Sequence, residues 1–109
     1  MTRVVYNKLV RDRIPEIIGK DGKKPKTRVL GEEEYRLELL RKIVEEAEEV
    51  VKTEGNKEKL TKEIGDILEL IDYFIKVFGL DREGVEKTRR ERRESRGGFD
   101  KKIFLEYVE

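Results

Sequence analysis

Two stretches with the 3.6-residue apolar period of an α-helix, separated by a Gly-Asn pair, constrain the fold more than any other feature. The first stretch runs from about Glu32 to Glu54 and the second from about Lys57 to Phe78. Gly55 is typical of a helix end, and Asn56 is a favoured N-cap for the helix that follows. Because the connection is so short, the two helices must run antiparallel. The sequence therefore predicts an all-α antiparallel helical bundle.

Shorter elements are expected on either side of these helices. Arg3–Val10 is rich in β-branched residues and predicts a short strand, and Asp12 could cap a short helix that follows it. A third helix is predicted from a cap at Asp81 to about Arg96, and Lys102–Val108 predicts a terminal strand that could pair with the first. We expect residues 1–109 to form one domain.

Composition limits both the core and the chemistry. Only 36% of the residues are hydrophobic, which predicts a thin core that oligomerisation would complete. Charged residues make up 47% of the chain but cancel to a formal net charge of +1, which argues against a general polyanion binder. No stretch resembles a membrane span or a signal peptide, so we expect a cytoplasmic protein without membrane contact.

The chain has no His and no Cys. Thiol nucleophiles, His bases and zinc thiolate sites are therefore impossible. Proton transfer and metal binding must depend mainly on Asp and Glu, whose oxygens suit Mg²⁺, Ca²⁺ or Mn²⁺.

Four acidic residues are distinguished by their spacing. Glu46 and Glu49 are three residues apart, as are Glu63 and Asp66, so each pair shares a helix face. In a tight hairpin the two pairs lie at similar heights above the turn, which predicts that Glu49 faces Glu63 and that Glu46 faces Asp66. Four facing carboxylates repel one another and would need a cation, for which Mg²⁺ is the natural choice.

An alternative interpretation is a solvated, salt-bridged helix face. Each of the pairs Lys42–Glu46, Lys59–Glu63 and Lys62–Asp66 is four residues apart and could form an ion pair along its own helix. Spacing alone leaves both interpretations open.

Three motifs resemble a known enzyme family. The string Glu45-Glu46-x-x-Glu49, followed after thirteen residues by Glu63-x-x-Asp66, resembles the signature of the all-α nucleoside triphosphate pyrophosphohydrolases of the MazG type. Residues 6–15 (YNKLVRDRIP) and 96–99 (RGGF) resemble the beginning and end of a small branch described as phosphoribosyl-ATP pyrophosphohydrolase-like.

The resemblance implies an oligomeric helical bundle that hydrolyses a nucleoside triphosphate to a monophosphate and pyrophosphate, by water attack at the α-phosphorus. Glu46, Glu49, Glu63 and Asp66 would then hold Mg²⁺, with Mn²⁺ as a possible substitute, and Glu45 would orient or deprotonate the attacking water. Such enzymes clear abnormal or surplus nucleotides.

Basic residues supply candidate substrate contacts. Lys8 and Arg11 are three residues apart, and Arg92 and Arg96 lie one helical turn apart beside the Gly97-Gly98 pair. We expect these four to bind phosphate, although a solvated surface would explain them equally well. The basic helix 82–96 also leaves open a nucleic-acid-associated module, and an inactive structural protein is a third possibility.

Overall fold

The computed structural model describes residues 2–109, and this part of the chain contains four α-helices and no strand. The helices are α1 (Ile14–Lys20), α2 (Glu32–Lys52), α3 (Lys57–Val77) and α4 (Arg82–Arg96). The prediction of an all-α fold is therefore confirmed, and both long helices begin at the predicted residues.

The turn between α2 and α3 forms as the sequence predicts. Gly55 has a positive φ of 82°, and the Asn56 side chain accepts a hydrogen bond from the Lys59 backbone N–H at 3.0 Å. Thr53 closes the turn from the other side, because its buried hydroxyl donates to the Val50 carbonyl at 2.7 Å. The two long helices therefore pack against each other as an antiparallel hairpin.

Both predicted strands are wrong. Arg3–Val10 and Lys102–Val108 are irregular, and neither pairs with a strand among residues 2–109. Asn7 and Lys102 have positive φ values of 44° and 58°, which interrupt the extended conformation of each segment. Asp12 is not a helix cap either: α1 begins after Arg13, without a side-chain cap.

The two helices of the hairpin meet along a narrow apolar seam, to which each helix contributes a single row of side chains. Leu39 and Leu70 are the only buried apolar residues among those described, with exposed fractions of 4% and 7%. Partly buried residues extend the seam along α2 at Ile43, Glu46 and Val50, and along α3 at Leu60, Glu63, Ile67 and Phe74. Glu46 therefore interrupts the apolar row of α2, and Glu63 interrupts that of α3.

Much apolar surface lies outside this seam. We call Leu37, Leu40, Val44, Ala47 and Val51 the outer stripe of α2, and all five are exposed. The radius of gyration is 18.3 Å, against about 13 Å for a compact domain of this length. The chain is thus extended, and its hairpin buries only part of the apolar arc that the sequence offers.

Helix α4 projects from the hairpin. Asp81 caps it as predicted, by accepting a hydrogen bond from the Gly84 backbone N–H at 3.2 Å. Val85, the only large apolar residue of α4, is 40% exposed. The one ion pair between α4 and the hairpin joins Arg82 to Asp72. Among the helices described, none has the length and apolar character required to cross a membrane.

Candidate metal centre

Three of the four predicted ligands converge on one point of the hairpin. One carboxylate oxygen from each of Glu46, Glu63 and Asp66 lies within 4.8 Å of the other two, and all three residues are partly buried. We call these three residues the carboxylate cluster. Glu46 comes from α2, and the other two come from α3.

The seam explains this convergence. Glu46 replaces an apolar residue in the row of Leu39, Ile43 and Val50, and Glu63 replaces one in the row of Leu60, Ile67 and Leu70. Because both rows face the opposite helix, the two carboxylates meet across the seam. Asp66 lies one turn beyond Glu63 on the same face of α3 and completes the group.

Glu49 is placed differently from the prediction. It is outside the carboxylate cluster, and its Oε1 atom lies 3.4 Å from the Lys52 Nζ atom on its own helix. The carboxylate that meets Glu63 is Glu46 rather than Glu49, because position in the seam decides which side chains face each other. Height above the turn, on which the prediction was based, does not contain that information.

The salt-bridged alternative fails for two members of the carboxylate cluster. Glu46 and Glu63 have no ion-pair partner among residues 2–109. Lys42 pairs with Glu45 at 2.9 Å instead of with Glu46, and Asp66 pairs with Arg11 instead of with Lys62. The helix lysines therefore do not neutralise this group.

The N-terminal segment supplies the cations that lie beside the cluster. The Lys8 Nζ atom lies 2.7 Å from a carboxylate oxygen of Glu45. Arg11 donates to Asp66 at 2.8 Å and lies 3.6 Å from Glu69. Two of the four predicted substrate residues are therefore brought to the carboxylates, across 37 and 55 positions of sequence.

The titration of these groups follows from their surroundings. Burial and the negative charge of Asp66 raise the pKa of Glu46 above its usual range. Burial also acts to raise the pKa of Glu45, but hydrogen bonds from Lys8 and Lys42 outweigh it, and the net pKa is lowered. The same hydrogen bond to Glu45 raises the pKa of Lys8. Glu45 and Lys8 therefore both stay charged near neutral pH.

The donor set fits a hard divalent cation. Oxygens that share one Mg²⁺ lie at most about 4.2 Å apart, twice the bond length, so small side-chain rotations would bring this cluster within range. Burial and the charge of Asp66 make the ionised form of Glu46 less stable. A bound cation would stabilise that ionised form. Glu49 lies one turn nearer the hairpin loop, where its carboxylate makes an exposed ion pair with Lys52.

Arg92 and Arg96 are not brought to the cluster within this chain. Both are exposed on α4 and have no ion-pair partner among residues 2–109.

Two contacts at the site were not predicted from the sequence. Lys42 forms an ion pair with Glu45, and Glu69 contacts Arg11 together with Asp66. The sequence did contain a signal for both contacts, because Lys42 lies three residues before Glu45 and Glu69 lies three residues after Asp66, so each pair shares a helix face.

Comparison of the chain with protein-family models, with curated proteins and with solved structures gives no match. The geometry of the carboxylate cluster and the sequence motifs are therefore the basis for any functional argument.

Proposed function

We propose that this chain is a Mg²⁺-dependent nucleoside triphosphate pyrophosphohydrolase that acts in the cytoplasm on abnormal or surplus nucleotides. The observation that carries the proposal is the convergence of Glu46, Glu63 and Asp66, whose oxygens lie within 4.8 Å of one another beside Lys8 and Arg11. The resemblance of its motifs to those of MazG-type enzymes supports the same reaction.

The carboxylate cluster would hold the cation, with Glu49 as a fourth ligand after it leaves Lys52. When bound, Mg²⁺ or Mn²⁺ would neutralise phosphate charge and activate water. Because Glu46 and Glu63 lack protein cations of their own, they are the residues that gain most from such an ion.

Glu45 is proposed to orient or deprotonate the water that attacks the α-phosphorus. Its lowered pKa keeps it ionised, so it can accept a hydrogen bond from water once Lys8 turns toward the phosphates. Lys8 remains cationic, since its pKa is raised, and Arg11 presents a planar guanidinium to the same anion. Both side chains are more than a third exposed and therefore accessible to a nucleotide.

Self-association is part of the proposal. The five residues of the outer stripe are exposed, and the radius of gyration of 18.3 Å exceeds that of a compact domain. A homodimer or larger assembly would cover this surface, and it would also give Arg92 and Arg96 a route to the phosphates bound by another subunit.

The test measures pyrophosphate release from a panel of nucleoside triphosphates, with Mg²⁺ and with chelator. Asp66→Asn should abolish release, because it removes a ligand from the carboxylate cluster. Glu69→Gln is the matched control: Glu69 contacts the same Arg11 but lies outside the cluster, so most activity should remain.

Two results would contradict the proposal. Release that persists in chelator would exclude the cation, and absence of release from every triphosphate by a folded protein would exclude the reaction. In the second case, salt-sensitive binding of nucleic acid through α4 would favour the nucleic-acid-associated module instead.

A further inference from the structure

The segment that follows α4 carries a concentration of exposed apolar side chains. We call residues 99–108 the tail. Its apolar members are at least 71% exposed, and Phe99 is 99% exposed, so they contact almost nothing in their own chain. These members are Phe99, Ile103, Phe104, Leu105, Tyr107 and Val108. Contiguous apolar surface of this kind is normally covered in the working state of a protein.

The outer stripe of α2 is a surface long enough to receive the tail. Its residues recur at spacings of 3, 4, 3 and 4, which is the pattern of a helix seam that packs against a partner. From Leu37 to Val51 the stripe is about 21 Å long, and an extended segment from Ile103 to Val108 is about 17 Å long, so the segment fits within the stripe. Val44, Ala47 and Val51 line a shallow depression along its C-terminal half.

The geometry of α4 separates these two surfaces within one chain. Arg82 fixes the start of the helix to Asp72 of α3, and α4 then carries the tail about 22 Å away from that point. No other part of α4 makes an ion pair with the hairpin. The tail and the outer stripe are both exposed, so they do not cover each other within one chain and both are accessible to another molecule.

The charges beside the two surfaces are complementary. Arg90, Arg92, Arg93 and Arg96 on α4 have no ion-pair partner among residues 2–109. On the hairpin, four carboxylates outside the carboxylate cluster likewise have no such partner. They are Glu33, Glu48, Glu54 and Glu58. Placing α4 of one copy beside the hairpin of another would pair these two sets.

We propose that the tail of one copy packs on the outer stripe of α2 in a second copy, and that the exchange is reciprocal. A reciprocal exchange about a twofold axis closes the assembly and leaves no unpaired tail or stripe. This inference rests on the proposed self-association, but it is independent of the proposed hydrolysis.

The test uses the absence of Cys in the chain. A Val44→Cys chain carrying a mass tag is mixed with an untagged Phe104→Cys chain under mild oxidation. A heterodimer with a disulfide between the two variants is expected. The control replaces the first partner by Val29→Cys, since Val29 is 99% exposed but belongs to the loop before α2 and not to the stripe. Equal cross-linking of the control would overturn the proposal.

A second pair of measurements separates the tail from self-association in general. The Ile103→Ser/Phe104→Ser/Leu105→Ser variant should fall in solution mass from twice the 12.9 kDa chain mass to the chain mass, with its helical circular dichroism retained. Val29→Ser should leave the mass unchanged. If the tail variant keeps the dimer mass, the tail proposal is wrong while self-association stands. An intrachain disulfide in the Val44→Cys/Phe104→Cys double variant would also overturn it.

Discussion

The α2–α3 hairpin and α4 have similar local sequence signals but very different surroundings. Asn56 caps α3 and Asp81 caps α4 by the same hydrogen bond to a backbone N–H three residues on. The hairpin buries Leu39 and Leu70, whereas α4 buries nothing. The comparison shows that a cap and a favourable composition define a helix, while a second apolar row is needed to place it.

The largest expected difference between the two regions is in stability. Leu70→Ala should lower the free energy of unfolding by about 2–3 kcal/mol, because it leaves a cavity in the only well-buried part of the seam. Val85→Ala on α4 should cost no more than about 0.5 kcal/mol, since Val85 is 40% exposed. Urea denaturation followed by circular dichroism measures both, and equal losses would show that α4 is packed as firmly as the hairpin.

A smaller difference is expected at the two caps. Asn56→Ala should lower the global unfolding free energy by about 1 kcal/mol, because the first turn of a packed helix loses its side-chain acceptor. Asp81→Ala removes the same bond from α4, but the result should be local fraying with little change in the urea midpoint. Amide hydrogen exchange distinguishes the two effects. A matching drop in midpoint for both variants would contradict the independence of α4.

The smallest expected difference is in cation binding. Arg11 competes with a metal for Asp66, so Arg11→Ala should tighten Mn²⁺ binding about two- to fivefold when nucleotide is absent. In the same variant the Michaelis constant for the nucleotide should rise, because a phosphate contact is lost. Arg92→Ala should leave Mn²⁺ affinity unchanged, as Arg92 has no contact with the carboxylates of its own chain. Titration followed by electron paramagnetic resonance measures the free Mn²⁺, and weaker binding in Arg11→Ala would place the ion elsewhere.

Local sequence determined the helices and their ends. Gly55 and Asn56 separate α2 from α3, and Asp81 begins α4, because backbone conformation and first-turn hydrogen bonds depend on neighbouring residues only. The placement of Glu46 and Glu63 in the apolar rows was also readable, since helical periodicity fixes which residues share a face.

The tertiary structure alone decided which of these residues meet. Pairing across the seam put Glu46, rather than Glu49, against Glu63, and it drew Lys8 and Arg11 to Glu45 and Asp66. The predicted strands failed for the same reason, because a strand exists only with a partner and neither segment has one among residues 2–109. Contacts between residues distant in sequence depend on packing across helices, and no periodicity within a single helix contains that information.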